Sequence, residues 1–188
     1  MQNTIADHAI LVVGDIMLDR YYFGEVKRIS PEAPVPITRV THEHSTLGGA
    51  ANVANNLALL GAKVFLAGIA GQDESRRELE RLLLAAGIDF SGLISDNRPT
   101  TTKLRVLGGH QQMMRLDFED NRPVEGKNKK QLQDYIGKVL RDGKVQAVII
   151  SDYAKGVCSA PLCSFLIKEC AKLAIPLIAD PKGTNWKK

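Results

Sequence analysis

No apolar run in this chain approaches the roughly 18 residues of a membrane-spanning helix, so a helical membrane anchor is not expected. The first residues, Met1-Gln2-Asn3-Thr4-Ile5-Ala6-Asp7-His8, lack the basic-then-apolar order of a secretory signal. Cysteine is scarce. Cys158, Cys163 and Cys170 lie in one short segment, odd in number and spaced for neither a zinc site nor a disulfide framework. They read as reduced thiols on or near a helix, in a cytoplasmic protein. There is no Gly-x-x-x-x-Gly-Lys-[Ser/Thr] loop, which sets aside the P-loop route to nucleotide phosphates. Cations exceed anions by only 4. Apart from Lys127-Asn128-Lys129-Lys130 and Lys187-Lys188 the excess is spread out, which is too diffuse for a nucleic-acid stripe but suits an anionic small molecule.

What is present describes one domain with a real core: 188 residues, 44% hydrophobic and 24% charged. Ala9–Val13, Ala62–Gly68, Val145–Ile150 and Ile175–Ala179 are short apolar runs that read as strands buried on both faces. Between them, Ala50–Leu60, Asp73–Ala86, Lys127–Asp142 and Ala160–Leu173 carry the spacing of helices. This alternation predicts an α/β fold, a parallel sheet with helices on both faces. Two segments, approximately 20–42 and 100–118, read instead as half-polar strands. The first is interrupted by the proline-rich Ile29-Ser30-Pro31-Glu32-Ala33-Pro34-Val35-Pro36 loop, and the second turns at Gly108-Gly109-His110. They are assigned to a small antiparallel β lid at one edge of the sheet.

The chain is organised around Gly48-Gly49-Ala50-Ala51-Asn52-Val53-Ala54-Asn55-Asn56. Two glycines at a helix start let backbone approach a ligand and aim N–H groups at it, with Asn52 alongside. An ordinary glycine turn before a core helix is the alternative. Asp15, Asp152 and Asp180 each end a buried strand, so all three are expected on the carboxyl rim, where open α/β sheets bind ligands. Asp15 and Asp19 can accept hydrogen bonds from hydroxyls or hold a divalent ion. They can equally be a turn residue and a cap.

The glycine stretch, with Gly61 and Gly71 downstream, resembles the first signature of the ribokinase-like (PfkB) carbohydrate kinases. Gly14-Asp15-Ile16-Met17-Leu18-Asp19, Ser30-Pro31-Glu32-Ala33-Pro34-Val35-Pro36, Arg115-Leu116-Asp117-Phe118-Glu119, Ser151-Asp152-Tyr153-Ala154-Lys155-Gly156 and Asp180-Pro181-Lys182-Gly183-Thr184 resemble its branch acting on D-glycero-β-D-manno-heptose 7-phosphate. The resemblance implies ATP-dependent phosphorylation of that sugar phosphate at its anomeric hydroxyl, with Mg2+, in ADP-heptose supply for lipopolysaccharide. It implies that Asp19 holds sugar hydroxyls and that Gly48, Gly49 and Asn52 cradle the sugar, with Asp15 and Asp152 as neighbours. Arg105, Lys155 and Lys182 are the cations for phosphate charge. It also implies a homodimer through the lid. One departure is local: where the branch usually carries an arginine, the hairpin here has Gly108-Gly109-His110. The other concerns the end. No Gly-Ala-Gly-Asp or Asn-x-x-Glu segment is present, so the chain is expected to be the amino-terminal portion of one kinase domain. On that reading it lacks the general base and most ATP and Mg2+ contacts, and is inactive alone. Another sugar kinase of the family, or a non-catalytic sugar-phosphate-binding or dimerising remnant, remain open.

Overall fold

The computed structural model describes residues 5–183. Thr184 and the Lys187-Lys188 pair lie outside the described residues. In chain order the elements are β1 (Ala9–Gly14), β2 (Ile16–Ile29), β3 (Pro36–Gly49), α1 (Ala50–Leu59), β4 (Lys63–Ala70), α2 (Glu74–Ala85) and β5 (Asp89–Ser95). They continue with β6 (Thr102–Gly108), β7 (Gln111–Phe118), α3 (Gly126–Arg141), β8 (Ala147–Ser151), α4 (Ala160–Lys172) and β9 (Leu177–Asp180).

Five strands make one sheet in the order β5-β4-β1-β8-β9, every pairing parallel. Alternate residues of β1 serve two cores. Leu11 and Val13 pack with Leu132 and Ile136 of α3 and Leu162 and Leu166 of α4, while Ile10 and Val12 pack with Ala54 of α1 and Leu79 and Leu83 of α2. A strand buried on both faces has no polar alternation, which is why it reads as a continuous apolar run. On α3, Leu132, Ile136, Val139 and Leu140 are buried along one stripe. The last strand pairs with β8 alone among the described residues and leaves Ile178 exposed. No helix among the described residues is long and apolar enough to cross a membrane.

The lid is a second sheet, ordered β3-β2-β6-β7. It is mixed rather than antiparallel: β2 and β6 run parallel. Both strands leave the same rim of the main sheet and run outward, because the chain returns to that rim through β4 and β5 before re-entering the lid. The first hairpin is also longer than expected. It runs from Ile16 to Gly49 and therefore starts at the rim itself, pairing Met17 with Gly48 and Asp19 with Thr46.

Polar groups fix the lid's root to the body. Asp73 caps α2 by accepting the Arg76 N–H at 2.9 Å, and its other oxygen accepts the Thr100 N–H at 2.8 Å. Arg98, buried and paired with Asp96 at 3.1 Å, donates to the Arg122 carbonyl at 2.7 Å where the chain leaves the lid. Burial opposes the Asp73 charge, but hydrogen bonds from Thr100 and Arg76 outweigh it and hold the carboxyl below its ordinary 3.8. Asp73→Ala removes a cap and orphans the Thr100 N–H, so a loss of about 2–3 kcal/mol is expected in urea unfolding. Because the folded-state pKa is depressed, the ionised carboxylate's share of stability is fully present above pH 3.8 and drains as pH falls through the lower folded value. The gap between wild type and variant should therefore narrow in acid; a gap that is flat with pH would show the carboxylate charge to be idle.

Candidate functional site

The three rim aspartates sit side by side, since Gly14 pairs with Ser151 and Ser151 with Asp180. They do different work. Asp15, a neighbouring candidate for the substrate, turns inward at 1% exposure. Its carboxylate accepts the backbone N–H groups of Tyr153 at 2.7 Å, Lys155 at 3.0 Å and Val157 at 3.1 Å. Burial pushes its pKa up, the three N–H bonds pull it back, and the Asp152 charge adds to the rise. Asp152 is buried and accepts the Ala154 N–H at 2.9 Å. It lines a cavity of about 500 Å³ between the 121–125 segment and the start of α4. Asp180 is exposed.

The glycines also serve the chain's own packing. An added Cβ on Gly48 would lie 2.5 Å from Asp19 Oδ2, so the missing side chain makes room for the chain's own carboxylate. Gly49 has φ 55° and ψ −133°, a conformation open to glycine, and a Cβ there would overlap the Asp15 carbonyl oxygen. That oxygen accepts the Ala50 N–H at 2.9 Å, so the first N–H of α1 is already used. Asn52 remains exposed on the first turn of α1.

Asp19 and Arg105 meet on adjacent lid strands, at 2.6 Å and about one-fifth exposed. The Arg105 guanidinium also lies 5.2 Å from the Tyr21 ring centroid, and its bond to Asp19 raises its pKa. Register places Asp19, Lys103 and Asp117 level with one another on one lid face. Lys103 pairs with Asp117 at 3.1 Å and with Glu119 at 3.6 Å, and Glu119 pairs with Lys155 at 2.8 Å. Through Glu119 the lid face is continuous with the rim loop of residues 152–157. Lys155 holds the Glu119 carboxyl below its ordinary value. Sequence reasoning did not single out Lys103, Asp117 or Glu119 for this cluster, although the i, i+2 spacing of Lys103 with Arg105 and of Asp117 with Glu119 places each pair on one strand face. Lys182 stands apart, exposed beyond β9 and without an ion pair among the described residues. His110 lies in the turn at the lid tip, seven residues along the chain from Lys103, and is not part of the cluster.

This arrangement offers an acceptor for hydroxyls, Asp19, beside cations already neutralised by carboxylates. A phosphate would have to exchange into those pairs, whose side chains are about one-fifth exposed. One group of described residues has metal-ligating composition: Asp15, Asp152 and Cys158, with donor atoms within 4.8 Å. It does not suit Mg2+, which prefers oxygen ligands; a thiol is soft and both Asp15 oxygens are engaged.

The profile of the pfkB family carbohydrate kinases matches residues 7–187. The chain belongs to the pfkB carbohydrate kinase family. Among its relatives, the Bifunctional protein HldE of Methylobacillus flagellatus is 50% identical over 180 residues, covering 95% of this chain and 37% of that protein. The D-beta-D-heptose 7-phosphate kinase of Bordetella bronchiseptica is 45% identical over 186 residues, covering 98% of this chain and 57% of that one. This pfkB chain thus spans between about a third and three-fifths of the length of these relatives. Solved structures agree on the fold: a possible 1-phosphofructokinase of Thermotoga maritima superposes with TM-score 0.71 at 17% identity, covering 93% of this chain and 54% of that one. An Arabidopsis thaliana ribokinase complexed with ribose and ATP gives 0.65 at 18%, covering 94% and 54%.

Proposed function

We propose that this chain carries the sugar-phosphate site of a cytoplasmic, ATP-dependent kinase that phosphorylates D-glycero-β-D-manno-heptose 7-phosphate at its anomeric hydroxyl, toward ADP-heptose and the lipopolysaccharide core. The observation that carries the reading is the Asp19–Arg105 pair at 2.6 Å, set level with Lys103 and joined through Glu119 to Lys155. The carboxylate is placed for ring hydroxyls and the cations for the 7-phosphate, as charge-assisted hydrogen bonds require. The Bordetella relative's name supports the choice of sugar. ATP supplies the transferred phosphoryl group. The Asp15–Asp152–Cys158 group does not suit Mg2+, and we assign no general base within the chain, so its part is to bind and orient the acceptor.

The same reading takes the chain as a homodimer through the lid. Edge strand β7 pairs only with β6 among the described residues and presents Met114, Leu116 and Phe118, each exposed. An unpaired, apolar edge is a template for a second strand.

Calorimetric titration of the chain with heptose 7-phosphate and with unphosphorylated heptose tests the proposal. Tighter binding of the phosphate ester, by about tenfold or more, is expected, since two or three cations face it. Equal affinities, or none for either sugar, would remove heptose 7-phosphate from the site.

A further inference from the structure

We propose that Asp15 is a positioning residue for Lys155: it holds the rim loop of residues 152–157 from inside and so fixes where that cation is offered to the substrate phosphate. This rests on the sugar-phosphate reading above and adds to it a residue that touches no ligand. Backbone N–H groups converging on one point are how many loops bind a phosphate or other anion. Here the N–H groups of Tyr153, Lys155 and Val157 converge on Asp15, at 2.7, 3.0 and 3.1 Å. The nest is filled by the protein's own carboxylate, buried at 1% exposure. The loop does not adopt this form from local preference. Ala154 has φ 57° and Gly156 φ 95°, and a non-glycine residue enters the left-handed region only when its surroundings impose it.

The outer side of the loop is pressed equally closely. A Cβ on Gly156 would overlap the Arg122 carbonyl oxygen and lie 3.2 Å from Arg98 Nη1, and the Gly156 carbonyl accepts the Val124 N–H at 2.9 Å. Lys155 is thereby held at both ends. Its main-chain N–H goes to Asp15 on the body, and its Nζ lies 2.8 Å from Glu119 at the exit from the lid. A lysine head on a four-carbon stem is otherwise a mobile charge, and ordering it on binding would weaken affinity. The chemistry needs an acceptor-only group at residue 15. An asparagine keeps one acceptor oxygen, so its NH2 is turned either toward the Val157 N–H, which bonds one Asp15 oxygen, or toward the Tyr153 and Lys155 N–H groups, which share the other.

The test uses Asp15→Asn and Asp15→Ala in the full chain, with two readouts. One is the pair of dissociation constants for heptose 7-phosphate and unphosphorylated heptose. The other is the NMR signal of Lys155 after reductive 13C-methylation, assigned by its loss in Lys155→Arg. Asp15→Asn is expected to weaken heptose 7-phosphate about tenfold while changing heptose by less than about twofold, and to move the Lys155 signal to that of solvated lysines. Formate added to Asp15→Ala should refill the nest and restore both readouts. Parallel weakening of the two ligands, or a Lys155 signal unmoved in both variants, overturns the inference. If the wild-type chain binds neither sugar, the substrate reading fails by itself, and the Lys155 signal with its formate rescue still decides the role of Asp15. If neither Asp15 variant folds, Tyr153→Pro, which deletes one donor at an exposed position, should produce the same split in smaller measure; no split would reject the inference.

Discussion

Alanine at Gly49 is expected to destabilise the chain by about 3–5 kcal/mol, a large share of the roughly 5–15 kcal/mol that a domain has in total. Two costs combine. The backbone at φ 55°, ψ −133° is open to glycine and strained for any residue with a Cβ. The new methyl would also overlap the Asp15 carbonyl oxygen, whose bond to the Ala50 N–H at 2.9 Å ties the end of β1 to the start of α1. Neither atom is the tip of a flexible side chain, so relief requires the two chain segments to separate. Gly87 provides the comparison. It has φ 69° with nothing within 4 Å of an added Cβ, so Gly87→Ala carries only the left-handed penalty of about 1–2 kcal/mol. Urea midpoints for the two variants measure the difference. Equal losses would mean that the Asp15–Ala50 junction yields without cost and that Gly49 matters for its dihedrals alone.

Much of the fold was legible because its signals are local. Val12 and Val13 face opposite cores, which removes polar alternation from β1, and the Leu132–Ile136–Leu140 stripe of α3 is a plain helical period. The direction of β6 was not legible. Whether it runs with β2 or against it depends on the chain first completing β4 and β5 in another sheet, a consequence of topology and not of residues 102–108. Two members of the candidate site were named in the sequence on other grounds. Asp19 and Arg105 were named from a resemblance, and the register of β2 on β6, which pairs Asp19 with Lys103 and Tyr21 with Arg105, brings them together. Asp15 misled because a carboxylate at a strand's carboxyl end looks alike in sequence whether it faces solvent or its own backbone. What separates the cases is the loop 138–142 residues away that folds over it. Lys103 and Glu119 were missed since their meaning lies in each other and in Lys155, across three segments.

Gly48→Ala should do the reverse of Gly49→Ala, leaving stability nearly intact while removing ligand binding. The added Cβ would lie 2.5 Å from Asp19 Oδ2, and 3.2 Å from both Asp19 Cγ and Met17 Cβ. The closest of these is the end of a side chain, which can rotate away. Doing so breaks the 2.6 Å pair with Arg105, a partly exposed pair worth about 1 kcal/mol or less to the fold. For the proposed substrate the consequence is larger. A carboxylate swung off its position loses two charge-assisted bonds to sugar hydroxyls, each about 1.5–3 kcal/mol, so the dissociation constant for heptose 7-phosphate should rise about 100-fold or more. A double-mutant cycle isolates the cause. If Gly48 acts only by making room for the Asp19 carboxylate, Asp19→Ala removes what the alanine collides with, and Gly48→Ala added to it should change binding no further. Additive losses would instead put Gly48 against the ligand itself, returning the glycine pair to the role that its sequence first suggested.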